Sequence, residues 1–288
     1  MREPEGNRKV APFVGSIEVP PDKSISHRAL MLASMAEGTS HLTNLLNSQD
    51  VRSTASCMSA LGAKVDVGVS GKKFFDADVT GWGGRSPKSP EEPLDCGNSG
   101  TTTRLLLGML SGYDVTATLV GDESLSKRPM QRVVKPLSMM GARFSKPGGE
   151  VWTEGEIVLP IQVEGTSGLK GIDYSSPKAS AQVKTSILLA AIHCDGSADL
   201  AEPYQSRNHT ELMFPAFGLQ LEAGNCKVHM DGGQKVTPCD VHVPGDVSSA
   251  MFPIVAASLV PGSHIKILNL GLNPTRTAAI EVARRMGC

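Results

Sequence analysis

A helix that ends in an apolar residue followed by glycine occurs four times in this chain, at Leu61-Gly62, Met140-Gly141, Phe217-Gly218 and Met286-Gly287. Glycine just past a last helical turn supplies the left-handed C-cap that other residues resist. Recurrence at intervals of roughly 70–80 residues marks repeated supersecondary units, each too small to bury its own apolar face. The first three endings lead into strand-like stretches, Ala63–Val67, Ala142–Phe144 and Leu219–Glu222. A second strand closes each hairpin near Phe74–Val79, Glu156–Val163 and Lys227–Met230.

Upstream of each ending the pattern repeats as helix, strand, helix. The spacing predicts helices over 27–36 and 50–61, 101–111 and 128–140, 180–192 and 207–217, and 247–259 and 275–286. The strands between them are expected at Ser40–Thr43, Asp114–Leu119, Ala198–Leu200 and His264–Leu268. Each unit thus reads as βαβαββ. The fourth stops at Met286-Gly287-Cys288, where the others begin their hairpin, so the expectation is of a shortened last unit.

Every unit opens on a polar junction ahead of an apolar helix. The first is Asp22-Lys23-Ser24-Ile25-Ser26-His27-Arg28, after the short apolar run Ile17-Glu18-Val19. The first N–H groups of a helix lack intrahelical partners and attract anions. Lys23 adds a compact ammonium, and Arg28 a planar fork suited to phosphate or carboxylate. The second junction, Asp95-Cys96-Gly97-Asn98-Ser99-Gly100-Thr101-Thr102-Thr103-Arg104, offers two glycines, hydroxyls and a cation. No Lys-Ser/Thr pair follows its second glycine, so it is not a Walker A loop and a nucleotide kinase is disfavoured. The third, Ser175 to Lys184, is again polar and basic; the fourth, Val243 to Ala250, has the same layout but no cation. Between them, Gly121 to Pro129 forms another cationic turn. Taken singly, each cation reads as a solvated surface charge. Set at equivalent points of a repeat, the cations predict a ligand with more than one anionic group.

Composition narrows the alternatives. The 28 Lys and Arg nearly balance the 29 Asp and Glu, so no general pull toward nucleic acid or membrane is expected. Aromatic residues at 4% argue against base-stacking platforms. The six cysteines form no C-x-x-C pair and have no histidine at finger spacing, which disfavours metal binding and a disulfide framework. No apolar run is long enough to span a bilayer, and residues 1–15 lack a signal-peptide core. A cytoplasmic protein without membrane or nucleic-acid partners is expected. No Ser/His/Asp triad, zinc motif or dinucleotide GxGxxG occurs, and His27 and His209, nearest the loops, read as helix-start residues.

Seven stretches in one order make the chain recognisable: DKSISHRA at 22–29, DCGNSGTTTRLLLG at 95–108, GDESLSKRPM at 121–130, SAQVKTSILLA at 180–190, SRNHTELM at 206–213, VPGDVSSAMF at 243–252 and NPTRT at 273–277. The chain resembles the 5-enolpyruvylshikimate-3-phosphate synthase (3-phosphoshikimate 1-carboxyvinyltransferase) family. The resemblance implies an α/β fold of the enolpyruvyl transferase type, an inside-out α/β barrel of βαβαββ units in two domains, the second incomplete here. Residues 21–241 would form one complete three-unit domain on the shikimate 3-phosphate side, and residues 1–20 and 242–288 parts of the other. It implies transfer of the enolpyruvyl group from phosphoenolpyruvate to the 5-hydroxyl of shikimate 3-phosphate, with release of phosphate, and no metal or organic cofactor.

Carried over by motif, Lys23, Ser24, Arg28, Ser180, Ala181, Gln182 and Arg207 would contact shikimate 3-phosphate. Lys23, Asn98, Gly100, Arg128 and Gln182 would form the phosphoenolpyruvate subsite, with Lys23 the catalytic residue within this chain. The family's acid–base Asp and Glu match positions beyond residue 288, so a half-site is expected that binds shikimate 3-phosphate but needs a complementing fragment for turnover. A monomer is expected. The inhibitor glyphosate would compete for the second subsite; Gly100 leaves it room, whereas Leu105 and much of the chain resemble the tolerant class, so weakened inhibition of a full-length parent is implied. Three alternatives remain on the same residues: a non-catalytic shikimate-3-phosphate-binding fragment, a UDP-N-acetylglucosamine enolpyruvyl transferase-like enzyme and an RNA 3′-phosphate cyclase. The Lys23-Ser24/Arg28 loop speaks against the last two.

Overall fold

A computed structural model describes residues 10–288. The part of the expected 1–20 segment that covers residues 1–9 lies outside the described residues. The chain divides into two compact units, one made of the chain up to Asp22 together with Pro244–Cys288, the other of Lys23–Val243.

The Lys23–Val243 unit contains three βαβαββ repeats. The first supplies α1 (Lys23–Met35), β2 (Thr39–Leu46), α2 (Gln49–Ala60), β3 (Lys64–Ser70) and β4 (Phe74–Thr80); β1 (Val14–Glu18) precedes it in the chain. The second runs through β5 (Leu94–Asp95), α3 (Gly100–Ser111), β6 (Thr116–Val120), α4 (Gln131–Met139), β7 (Arg143–Ser145) and β8 (Ile161–Glu164). The third comprises β9 (Lys170–Ser175), α5 (Ala181–Ala191), β10 (Asp195–Ala201), α6 (His209–Met213), β11 (Glu222–Gly224) and β12 (Lys227–Asp231), followed by β13 (Val241–His242). The strands form three separate four-stranded sheets, ordered β13-β2-β4-β3, β5-β6-β8-β7 and β9-β10-β12-β11. In each, the leading strand is parallel to the next and the other two pairings are antiparallel.

The helices that open the repeats lie inside this unit and are buried nearly all round, Ser26–Met35 in α1, Thr102–Ser111 in α3 and Val183–Ala191 in α5. Such a helix has no polar stripe and must be enclosed by other elements. Close approach is built in at Gly108, where a Cβ would lie 2.1 Å from the Ser186 carbonyl oxygen, so α3 and α5 cross backbone to backbone. The four helix-ending glycines, Gly62, Gly141, Gly218 and Gly287, have φ of 100°, 111°, 78° and 93°, as left-handed caps require.

A second set of glycines was not read from the sequence. Gly81, Gly165 and Gly232 each follow the last residue of β4, β8 and β12, where the strand passes over the C-terminus of the inner helix of its own repeat. Their Cβ atoms would fall 2.3 Å from the Ala36 carbonyl oxygen, 2.0 Å from that of Leu110 and 2.1 Å from that of Cys194. The residues that follow cap the helix ends: Trp82 N–H donates to Ser34 O (2.9 Å), Thr166 N–H to Ser111 O (3.0 Å) and Gln234 N–H to Ile192 O (3.0 Å).

Several boundaries differ from expectation for local reasons. The helix expected over 128–140 begins at Gln131, because Arg128 precedes Pro129 and is held in an extended conformation. The helix expected over 207–217 stops at Met213 and continues as a 3₁₀ turn at Pro215–Phe217, since Pro215 cannot extend it. The strand expected over 156–163 is confined to Ile161–Glu164, after the N–H-less Pro160.

The strand leading into α1 does not join the first sheet. β1 pairs in parallel with β14 (His264–Leu268), Val14 opposite His264, while β13 takes the parallel position beside β2. β1 and β14 belong with α7 (Val247–Leu259) and α8 (Ala278–Arg285) in the other unit. There α7 corresponds to an inner helix, yet Phe252 is 81% and Leu259 76% exposed. Asp22 N–H donates to Pro244 O (2.8 Å) and Asp246 N–H to Pro20 O (2.9 Å), clasping the two stretches of this unit together, while Gly245 N–H donates to Asn269 O within the second stretch.

Candidate active site

Within the Lys23–Val243 unit the N-termini of α1, α3 and α5 are joined by a closed ring of polar side chains. From α1, the buried Arg28 donates through Nε to Thr210 Oγ1 (2.8 Å) and through Nη2 to Thr185 Oγ1 (2.7 Å), reaching α6 and α5. The two threonines share a 2.6 Å hydrogen bond. Arg28 Nη1 also donates to Ser24 Oγ (2.7 Å), which lies 3.3 Å from His209 Nδ1. On the other side, His27 Nδ1 meets Thr54 Oγ1 (2.7 Å) on α2, Thr54 meets Thr102 Oγ1 (2.7 Å) on α3, and Thr102 donates to Ser99 Oγ (2.7 Å). Gln182 completes the ring, its Nε2 donating to Thr101 Oγ1 (3.0 Å) and its Oε1 accepting from Arg104 Nη1 (3.1 Å).

Local sequence explains the placement of the site residues. Ser99 and Ser180 are N-caps, accepting from the N–H groups of Thr102 and Val183, so Gly100, Ala181 and Gln182 occupy first turns. Lys23 begins α1 with its side chain half exposed and pairs with Asp50. Asn98 is held between Asp122 Oδ2 (2.7 Å from its Nδ2) and Arg128, whose Nη2 donates to Asn98 Oδ1 (2.7 Å). The Asn98 amide, the Leu125 N–H and the Arg128 charge keep the Asp122 carboxyl below its ordinary pKa. Arg207 sits, partly buried, two residues ahead of α6.

Electrostatically the ring is cationic and largely buried. Burial lowers the pKa of Arg104 to about 10, with Arg132 and Arg128 adding to the effect. The wholly buried His27 is lowered to about 3, by desolvation first and then by Lys23 and Arg28, so it stands neutral near pH 7. Its Nε2 has no hydrogen-bond partner among the described residues. Convergent cations and three helix N-termini suit a dianionic oxygen ligand.

Two readings of the junctions need correction. Lys184, counted among the cations of the third junction, is buried between Glu202 (2.8 Å) and Glu211 (2.6 Å) and is not presented to a ligand. The fourth junction does receive a cation: Arg276 Nη2 lies 3.3 Å from Asp246 Oδ1 and 2.5 Å from Ser248 Oγ at the start of α7. Spacing missed it because Arg276 lies beyond β14. The threonines at 54, 185 and 210 were also missed, since a lone hydroxyl in a helical stretch carries no signal of its partner; Thr102 was read only as one hydroxyl of the second junction. Among the described residues no group of three or more His, Cys, Asp and Glu could hold a metal ion, and no helix is long and apolar enough to cross a membrane.

A family model described as EPSP synthase (3-phosphoshikimate 1-carboxyvinyltransferase) matches residues 7–288. The chain belongs to the EPSP synthase family. Its similarity to the 3-phosphoshikimate 1-carboxyvinyltransferase of Bacillus subtilis (strain 168) is 45% identity over 279 residues, 97% of this chain and 62% of the relative. The namesake in Thermoanaerobacter sp. (strain X514) is 48% identical over 95% of this chain and 61% of its own length. A solved EPSP synthase from Acinetobacter baumannii superposes with a TM-score of 0.86 at 40% identity, covering 96% of this chain and 60% of that one. The chain therefore spans about 60% of the length of the EPSP synthases it matches. The enolpyruvyl transferase-type α/β fold implied by the resemblance is that of the family, here with open sheets around enclosed helices.

Proposed function

We propose that this chain supplies the shikimate 3-phosphate side of an enolpyruvyl transferase that adds the 5-hydroxyl of shikimate 3-phosphate to C2 of phosphoenolpyruvate and then eliminates phosphate. The observation that carries this reading is the bond set of Arg28, which ties the Lys23-Ser24 end of α1 to the Ser180–Gln182 end of α5 through Thr185 and Thr210. Lys23, Ser24, Arg28, Ser180, Ala181, Gln182 and Arg207 hold the phosphate monoester and the ring hydroxyls. Asn98, Gly100 and Arg128, with Lys23 and Gln182, receive phosphoenolpyruvate or its competitor glyphosate. Residues 21–241 act as the shikimate 3-phosphate domain, and residues 1–20 with 242–288 belong to its counterpart. A cytoplasmic monomer is consistent with this role.

Charge supports the assignment chemically. A buried guanidinium fixed by hydroxyls is already oriented, so binding a dianion requires little further ordering. Calorimetric titration with shikimate 3-phosphate is expected to give one site per chain, with UDP-N-acetylglucosamine giving no heat. Binding of the nucleotide sugar in place of shikimate 3-phosphate would sink the reading. Phosphoenolpyruvate is then titrated onto the first complex. In Gly100→Ala the new methyl would lie 2.8 Å from Arg104 Nη1 and 3.6 Å from Arg128 Nη1. That variant is expected to weaken the second ligand about tenfold through the displaced guanidinium, and the first by less, through Gln182 alone; equal affinity for phosphoenolpyruvate would remove Gly100 from the subsite.

A further inference from the structure

Beneath the third junction lies a cluster of three charged side chains, Lys184, Glu202 and Glu211, whose side chains are only 3–4% exposed. Burying ionised groups carries a desolvation penalty that their mutual attraction only partly offsets, and apolar replacements of similar volume often serve stability as well. The cluster therefore invites a role other than holding the fold together, and its hydrogen bonds indicate which.

Glu202 gathers donors from two separate stretches of chain. Its Oε1 accepts the backbone N–H of Ser180 (2.9 Å), the N-cap of α5. Its Oε2 accepts from Lys184 Nζ (2.8 Å), from the Ser206 hydroxyl (2.8 Å) and from the Ser206 N–H (3.4 Å). Ser206 immediately precedes Arg207. One carboxylate thus pins the start of α5 to the segment that carries Arg207, and Lys184, itself braced by Glu211, supplies the neutralising charge. An ionised carboxylate accepts from all four donors, whereas an amide offers a single oxygen and turns a competing NH₂ toward the rest. Burial favours the neutral form of Glu202, but the bonds from Lys184, Ser206 and the Ser180 N–H outweigh it and keep its pKa below the ordinary value.

We propose that Glu202, anchored by Lys184 and Glu211, is a positioning residue that sets the spacing between the Ser180–Gln182 turn and Arg207, and through it the affinity of the phosphate pocket. The inference rests on the proposed function, since it takes shikimate 3-phosphate as the ligand of those two segments. It assigns Glu202 no contact with the ligand.

The test compares Glu202→Gln and Ser206→Ala with the unaltered 288-residue chain, by shikimate 3-phosphate calorimetry, thermal melting and the ³¹P resonance of the bound ligand. Ser206→Ala removes one tie and preserves the buried charges, so it keeps the fold even if Glu202→Gln does not. Loss of hydrogen bonds to a charged group predicts affinity weaker by about tenfold to a hundredfold in Glu202→Gln and about threefold to tenfold in Ser206→Ala. In Ser206→Ala the melting temperature should stay within about 2 °C of the parent, while the bound ³¹P resonance shifts. A folded variant of either kind with parental affinity and an unshifted resonance overturns the proposal. An affinity loss in Ser206→Ala that merely follows a lowered melting temperature overturns it too. If the unaltered chain itself binds no shikimate 3-phosphate, the functional reading fails and takes the inference with it.

Discussion

Replacing Gly165 by alanine is expected to destabilise the Lys23–Val243 unit by about 3–5 kcal/mol, a sum of overpacking and lost hydrogen bonds. The added Cβ would sit 2.0 Å from the Leu110 carbonyl oxygen and 2.3 Å from that of Tyr113. Both are backbone atoms at the end of α3, so no rotamer change can relieve the overlap. The strand would have to lift, breaking the bonds from Gly165 N–H to Val115 O and from Thr166 N–H to Ser111 O, each 3.0 Å. For a unit of this size the loss corresponds to a melting temperature lower by roughly 10 °C. Gly84→Ala is the control, because nothing lies within 4 Å of its Cβ position. If the two variants melt together, the close approach of strand and helix end is wrong. Gly81→Ala and Gly232→Ala should behave as Gly165→Ala does, one result per repeat.

Acid should weaken the same unit through His27. Its pKa is about 3 in the folded protein against 6.5 for a free side chain. Above pH 6.5 the ring is neutral in both states and contributes nothing. As pH falls through 6.5 the unfolded chain takes up a proton that the folded one refuses, so stability declines until about pH 3, where the folded state also protonates. At pH 4.5 the penalty is about 2–3 kcal/mol, two units of pKa difference. His27→Asn places an amide near the Nδ1 position, keeping a partner for Thr54 while removing the titration. Urea unfolding at pH 7 and pH 4.5 should therefore show a smaller acid loss in the variant by about that amount. Carboxylates that titrate in this range do so in both proteins and cancel in the difference. An identical drop in the two would mean that His27 is not buried as a neutral ring.

What could be read in advance divides along physical lines. The helix-ending glycines at 62, 141, 218 and 287 were legible because a positive φ has a residue preference that leaves a mark in sequence. α7 and β14 fall at the positions their periodicity predicts, Val247–Leu259 and His264–Leu268. Periodicity did not show the exchange of β1 and β13, because all repeats share one strand–helix layout and either strand satisfies the parallel position; only the resemblance implied that residues 1–20 go with 242–288. Gly81, Gly165 and Gly232 have φ values open to other residues, and only the neighbouring helix end forbids a side chain there. At the site, the junctions announced their charges but not the direction those charges face. Lys23 and Lys184 look alike in sequence, yet one pairs with Asp50 at the surface and the other is enclosed by two glutamates.

The clasp between Pro20–Asp22 and Pro244–Asp246 bears on how the whole insert between them unfolds. Asp22 N–H bonds to Pro244 O and Asp246 N–H to Pro20 O, with Pro21 bridged to Gly245. While that clasp holds, a denatured Lys23–Val243 segment is not a free coil but a ring, closed without a covalent bond. Ring closure on this scale removes roughly 5 kcal/mol or slightly more of chain entropy from the denatured ensemble, comparable to a disulfide spanning a long loop. The backbone hydrogen bonds between Pro20–Asp22 and Pro244–Asp246 thus act, while they hold, as a thermodynamic cross-link on the Lys23–Val243 segment.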